Sequence, residues 1–285
     1  MSNTITYTPF TRPGSNVLPP NQKMTIGQYL ISPDGKYKLI LQDDSNLVLY
    51  SEGAAVWAAN ADQPYSSDHY NRGYADTYLV VSNTGFLYDS LRGRLWSTFT
   101  NLSDSGLWYR SHLVLQDDGN VVILDVDDIF TTQQTTLLAG SDNVNIIPPG
   151  TSLEPGHFYR AGGYSLVFQG DGNLVVYTND ARVVWNSGTH NMGATQAVMQ
   201  GDGNFVIYKF DGTAIWHTHT PGNPGAYAQI QNNGAFVVCK STPTWARFGF
   251  TPSGKSRPVF YPDHTDPLEN STKPFPTYGH IGYEF

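Results

Sequence analysis

At 285 residues the chain is long enough for two domains of ordinary size, each burying its own core. Hydrophobic residues make up 39% and charged residues 14%, while 28 Gly, 18 Pro and 18 Tyr suit short strands and frequent turns, which makes the expected class all-β. A formal charge of -8 with no block of Lys and Arg excludes the electrostatic footprint of a nucleic-acid or anionic-membrane binder and favours a neutral partner.

The opening segment, MSNTITYTPFTRPGSNVLPP, reads as a loop. It lacks a basic stretch followed by an apolar run, so it is not a Sec-type signal peptide. No stretch approaches the roughly eighteen apolar residues of a membrane span. If the protein acts outside the cell, the expectation is release by another route, such as lysis. YLISPDGKYKLILQ then reads as strand, Gly-containing turn, strand, and leads into LQDDSNLVLY, followed by AVWAAN. Residues 60–76 read as a loop. VSNTGFLYDS and RLWSTF come next, then LQDDGNVVIL. The segment 143–156, NVNIIPPGTSLEPG, carries Pro148, Pro149 and Gly150 and marks the expected domain boundary. Beyond it, HFYRAGGYSLVFQ repeats the strand, turn, strand lead-in. FQGDGNLVVY, VVWNSG, MQGDGNFVIY, AIWHTH and IQNNGAFVVC follow in order.

These stretches share a template, Gln-x-Asp-x-Asn-x-Val-x-Tyr. Three copies are complete: Gln42, Asp44, Asn46, Val48 and Tyr50; Gln169, Asp171, Asn173, Val175 and Tyr177; Gln200, Asp202, Asn204, Val206 and Tyr208. A fourth, Gln116, Asp118, Asn120 and Val122, ends in Leu124. Two are eroded, one at Ser82, Thr84, Phe86, Tyr88 and Ser90 and one at Gln231, Asn233, Ala235, Val237 and Cys239. The copies form two groups of three, and Trp57, Trp96, Trp185 and Trp216 recur behind the motifs. Each third is expected to be a small antiparallel sheet, with three sheets packed around the tryptophans. The expected domains are 1–147 and 148–250, followed by an extended tail at 251–285.

A straight strand would spread the template over about 26 Å. Asp-Gly is a hairpin signal, so the chain is expected to bend there and gather the polar groups, while Leu174, Val176, Phe205 and Ile207 face a core. An amide, a carboxylate, a second amide, an apolar patch and a phenol suit a neutral polyol, with a monosaccharide as the leading ligand. A turn with no binding role is the alternative; it does not require Gln before Asp or Tyr after Asn. A calcium loop fails for want of a later Glu with helical flanks, or of a nine-residue period.

The template resembles the mannose-binding motif of the monocot mannose-binding lectins, or bulb lectins, over about residues 25–245. The resemblance implies two tandem β-prism II domains, each of three antiparallel sheets with pseudo-threefold symmetry. It implies that Asp and Asn read the axial 2-hydroxyl of mannose, that Gln and Tyr bond the neighbouring hydroxyls, and that Val packs on the ring. The tandem arrangement with a tail is similar to the lectin-like bacteriocins of pseudomonads. That likeness implies binding of D-rhamnose or mannose in the lipopolysaccharide O-antigen of related bacteria and killing through an outer-membrane protein, by a secreted monomer that is not an enzyme. A non-toxic multivalent lectin is the alternative. Plant members usually carry a signal peptide and an intradomain disulfide, and Cys239 is the sole cysteine here. By the same resemblance the Gln116 copy is weakened by its missing Tyr, and the Ser82 and Gln231 copies are silent.

His217 and His219 in WHTHT share a strand face, but with no carboxylate or Cys partner nearby an exposed pair outweighs a metal site. No G-x-S-x-G elbow occurs. No cofactor, metal or catalytic residue is expected.

Overall fold

The computed structural model describes residues 6–59, 77–82, 84–89, 93–98, 107–133, 145–248, 257–262 and 279–284. The loop expected at 60–76, the Ser90 position, residues 249–250 and residues 251–256, 263–278 and 285 of the expected tail lie outside the described residues. Among the described residues the only helical turn is Leu107–Arg110; the rest of the regular structure is strand, as composition implies.

Contacts divide the chain into two units. The first contains residues up to Asp125 and those from Pro243 onward; the second is Val126–Thr242. Each is built from three sheets around one core.

In the first unit, one sheet runs Tyr29–Ile31, Tyr37–Leu41, Leu47–Ser51, Ala54–Ala58, all antiparallel neighbours. A second orders Thr8–Pro9, Gln22–Thr25, Tyr78–Val81, Gly85–Asp89 and Gly93–Ser97, the first pair being parallel. The third contains Val17–Leu18, Ser111–Leu115 and Val121–Asp125. Its fourth position is filled by residues after Pro243: Arg247 N–H donates to the Val121 carbonyl at 2.9 Å and the Thr244 hydroxyl to that of Ile123 at 3.2 Å.

The second unit repeats the scheme. Phe158–Ala161, Tyr164–Phe168, Leu174–Thr178 and Val183–Asn186 form one sheet; Thr151–Ser152, Ala194–Met199, Phe205–Lys209 and Ala214–His217 form another. Asn145–Ile147, Tyr227–Ile230 and the strand from Phe236 make the third. Residues from Val126 complete it, with Thr132 N–H on the Phe236 carbonyl at 3.0 Å.

Alternation along the strands puts aliphatic side chains inward. Leu39, Leu49, Leu174, Val176, Phe205 and Ile207 are fully buried, each contributing roughly 1.5–3 kcal/mol. At the centre of the second unit the Trp185 and Trp216 rings lie 5.7 Å apart, with Phe130 at 5.9 Å from Trp216. In the first, Trp57, Trp96 and Trp245 make the corresponding trio, at 5.9 Å for each step. The four expected tryptophans are therefore core residues. The third aromatic of each trio comes from the other half of the sequence.

The division at Asp125 and Thr242 differs from boundaries at 147 and 250. Val121–Thr131 and Phe236–Ala246 are eleven-residue strands, and each changes unit part-way along its length. Asn145–Ile147, inside the expected boundary segment, instead pairs with Tyr227–Ile230, and Thr151–Ser152 pairs with Ala194–Met199. The first twenty residues hold two short strands rather than a plain loop. In the tail, Arg257–Pro262 and Gly279–Glu284 form an antiparallel pair.

Candidate functional site

The Gln169 copy begins one residue after the strand Tyr164–Phe168, where Gln169 N–H bonds to the Asn173 carbonyl at 2.8 Å and Gly172 N–H to that of Gln169 at 2.9 Å. Gly172 has φ 84°. This is a three-residue hairpin loop that needs a left-handed residue at its end, hence Gly. Asp171 Oδ1 accepts the Asn173 N–H at 3.0 Å and closes the turn with its side chain. Gln, Asp and Asn therefore sit in the turn, while Val175 and Tyr177 stand on the outgoing strand. The bend joins the two ends of the motif, with Gln169 Nε2 donating to the Tyr177 hydroxyl at 2.9 Å.

The Gln200 copy reproduces this geometry, with Gln200 Nε2 to the Tyr208 hydroxyl at 2.8 Å and Asn204 N–H to Asp202 Oδ1 at 2.9 Å. So does the Gln42 copy, with Gln42 to Tyr50 at 2.9 Å and Asn46 N–H to Asp44 Oδ1 at 2.9 Å. Here Ser45 takes the left-handed position, at φ 69°, and its buried hydroxyl bonds Thr77 Oγ1 at 2.9 Å, which offsets the backbone cost.

Supporting residues fix the Asn amide. Asn173 Oδ1 accepts from Ser187 Oγ at 3.1 Å and Thr189 N–H at 3.2 Å; Asn204 Oδ1 accepts from Thr218 Oγ1 and Thr220 N–H at the same two distances. The Thr189 and Thr220 hydroxyls also donate to the carbonyls of Gly172 and Gly203. Both amide oxygens are thus held, and each Nδ2 points its donors at no described residue. The sequence signal for these supports is the hydroxyl residue two and four places after Trp, in WNSGT and WHTHT.

Asp171 and Asp202 are exposed, and one oxygen of each stays outside the turn. The Tyr hydroxyl that accepts from Gln keeps its own proton to donate. Val175 and Val206 supply the apolar floor between them. A bulge on the next strand lies beside each Tyr, where the register shifts between Val176 and Tyr177, Ile207 and Tyr208, and Leu49 and Tyr50. In the Gln169 and Gln200 copies a carboxylate, an amide donor, a hydroxyl and a methyl pair therefore stand on one outward face. Such a set presents acceptor and donor to adjacent hydroxyls of a polyol.

The Gln116 and Gln231 copies keep the turn and lose parts of the face. In the Gln116 copy, Asp118 still caps Asn120 at 2.8 Å, but Asn120 Nδ2 donates to the Phe248 carbonyl at 2.5 Å while Oδ1 accepts Phe248 N–H at 3.1 Å. Arg247 takes the Gly119 carbonyl, where the Gln169 and Gln200 copies use a threonine hydroxyl. In the Gln231 copy, Asn233 replaces Asp as the cap, bonding Ala235 N–H at 2.9 Å. Cys239 takes the Tyr position and is fully buried, its Sγ 3.1 Å from Asp128 Oδ1, and burial pushes its pKa well up. In the Ser82 copy, Thr84 is buried against Thr98 at 2.9 Å. The His217 and His219 rings lie 3.9 Å apart, tilted by 48°, with His217 ending the last strand of the Gln200 sheet, His219 just beyond it at φ 60°, and His219 N–H on His217 Nδ1.

No protein-family model matches the sequence. A mannose-specific lectin from Aloe arborescens is 33% identical over 109 residues, 38% of this chain and 89% of that protein. Among solved structures, the fetuin-binding two-domain lectin of Scilla campanulata matches with a TM-score of 0.56 and 22% identity, over 81% of this chain and all of that one. The mannose-specific agglutinin of snowdrop (Galanthus nivalis), solved with methyl-α-D-mannoside, is 32% identical over 38% of this chain and 99% of its own, with a TM-score of 0.33. The two-domain match shows that the fold is a tandem of β-prism II domains, and the identity to the aloe lectin over most of its length shows that the chain belongs to the monocot mannose-binding lectin family.

Proposed function

We propose that the protein is a multivalent lectin that binds mannose-configured sugars at its three complete copies, headed by Gln42, Gln169 and Gln200. The observation that carries this is the clasp between Gln and Tyr, closed at 2.8–2.9 Å in all three, beside an exposed or half-exposed Asp and a buried Val. The relatives are lectins rather than enzymes, and the face offers hydrogen bonds without a nucleophile or an acid–base pair. Single sites of this shallow kind bind weakly, and several on one chain raise the working affinity for a polysaccharide. Calorimetric titration with methyl α-D-mannoside and with D-rhamnose tests it. In the Asp171→Ala, Asp202→Ala double variant, only the Gln42 site should remain; unaltered stoichiometry and affinity would overturn the assignment.

A finer reading is supported by the tandem domains and by the C-terminal strand pair Arg257–Pro262 and Gly279–Glu284. In it, the lectin acts outside the cell as a monomer, recognises D-rhamnose or mannose in the O-antigen of related bacteria, and kills them through an outer-membrane protein. Removing residues 251–285 should then spare sugar binding and abolish growth inhibition in a spot assay. Failure of the full chain to inhibit any strain of a broad panel sinks this reading and leaves the lectin.

A further inference from the structure

The three complete copies share a core motif but differ in what flanks it. In the Gln169 sheet, Val175 pairs with Val167, and Val167 with Phe158; one row further, Tyr177 pairs with Ser165, and Ser165 with Arg160. Directly paired residues of antiparallel strands share a face, so Phe158 and Arg160 stand on the same outward surface as the motif. Phe158 is 46% exposed, and the Arg160 guanidinium lies 5.2 Å from its ring centre. Two strand spacings separate Phe158 from Val175, roughly 10 Å, within reach of a sugar linked to one held at the motif.

The arrangement recurs. In the Gln42 sheet, Val48 pairs with Ile40 and Ile40 with Tyr29, which puts Tyr29 in the place of Phe158, and Lys38 Nζ lies 4.3 Å from its ring centre. Among the described residues neither Arg160 nor Lys38 has an acidic partner. The Gln200 sheet breaks the pattern: the same row runs Val206, Val198, Ser152, and the Ser152 hydroxyl is engaged by Gln196 Nε2 at 3.0 Å.

We propose that Phe158 and Arg160 form a subsite for the second pyranose of a glycan whose terminal residue occupies the Gln169 motif. The aromatic ring meets the C–H face of that pyranose, and the guanidinium N–H groups donate to its oxygens. The proposal rests on the reading of the motif as a sugar site. It makes the Gln169 copy an oligosaccharide site and leaves the Gln200 copy a monosaccharide site.

The test isolates each copy in the full chain. An Asp44→Ala, Asp202→Ala background retains the Gln169 site, and Asp44→Ala, Asp171→Ala retains the Gln200 site. Each is titrated with methyl α-D-mannoside and with a linear α-linked mannotriose. The trisaccharide should gain about fivefold over the monosaccharide at the Gln169 site and nothing at the Gln200 site. Adding Phe158→Ala to the first background should bring its ratio down to that of the second, with circular dichroism confirming the fold. Equal ratios in the two backgrounds, or a ratio that survives Phe158→Ala, overturn the subsite while leaving the motif reading intact. Absence of monosaccharide binding in both backgrounds overturns the motif reading, and the subsite with it.

Discussion

Within the second unit, the turns that begin at Gln200 and Gln231 share one backbone skeleton and have opposite surroundings. Each closes with Gln N–H on the carbonyl four residues on, at 2.8 and 2.9 Å, and with Gly N–H back to Gln, at 3.2 and 2.9 Å. Each is capped by the side chain two places before the loop ends, Asp202 in one and Asn233 in the other. After Gln200 the outward face ends in a half-exposed Tyr208; after Gln231 it carries Ala235, Val237 and Cys239, all fully buried. The second sheet is also the one whose last strand is borrowed from residues 126–131, and Asp128 reaches Cys239 from it. The template thus specifies a hairpin first. An open polar face results only where the sheet leaves that hairpin uncovered.

The glycines of the two turns should separate most widely. A Cβ on Gly203, at φ 93°, would lie 2.3 Å from the Asn223 carbonyl oxygen, a main-chain atom fixed by its own turn. On Gly234 it would meet the Tyr164 ring at 2.6 Å, and a ring can swing aside. Chemical denaturation should show Gly203→Ala losing about 4 kcal/mol and Gly234→Ala about half as much. Next comes a reversal of the erosion itself. Cys239→Tyr restores the template residue at a fully buried position, so it should cost about 3 kcal/mol through overpacking and create no new sugar site in a titration. A gain in binding stoichiometry would mean that burial is not what silences this copy.

Alkaline pH should weaken the covered face by a smaller amount. Burial and the neighbouring Cys239 push the Tyr227 phenol up to about 12 from its ordinary 10.0, against the hydrogen bond with Ser241 and with Asp128 also near. The folded chain therefore holds this proton more tightly than the unfolded chain. The stabilisation is fully present below pH 10 and is lost as pH rises toward 12, by about 2 kcal/mol. Cys239 acts in the same direction. Denaturation between pH 9 and 12 should show the loss, and Tyr227→Phe should flatten it.

What the sequence discloses follows from how local each cause is. The turn is legible because the Gly at the left-handed position, the Asp that caps it and the Gln that reaches Tyr lie within nine residues of one another. Even the substitution of Ser45 for Gly is visible, although its remedy, Thr77, lies across an unrelated segment. The division of the chain is not legible in the same way. Prolines at 148 and 149 look like a boundary, yet the chain changes unit inside Val121–Thr131, where no Gly or Pro interrupts the strand. Whether such a strand turns back or runs on depends on which partner it meets, a matter of distant pairing that no short pattern records. Phe130 and Trp245, ten residues after the Asn or Ala of their copies, were the available signal: each completes an aromatic trio in the unit its motif does not belong to.

The smallest effect concerns the open face. Tyr208→Phe removes the oxygen that accepts from Gln200 Nε2 and leaves the ring in place. Because Tyr208 is half-exposed, water can replace the lost acceptor, so stability should fall by no more than about 1 kcal/mol. Sugar affinity at that copy should fall more than stability does. The phenol would otherwise donate to a ligand hydroxyl while fixing the Gln amide that reads the next one, so one atom supports two contacts. Loss of the pair predicts a drop of about tenfold in the single-site background that retains Gln200. If affinity holds while denaturation shows the small expected loss, the clasp between Gln and Tyr is a strut of the hairpin. The open and covered turns would then differ in exposure and not in chemistry.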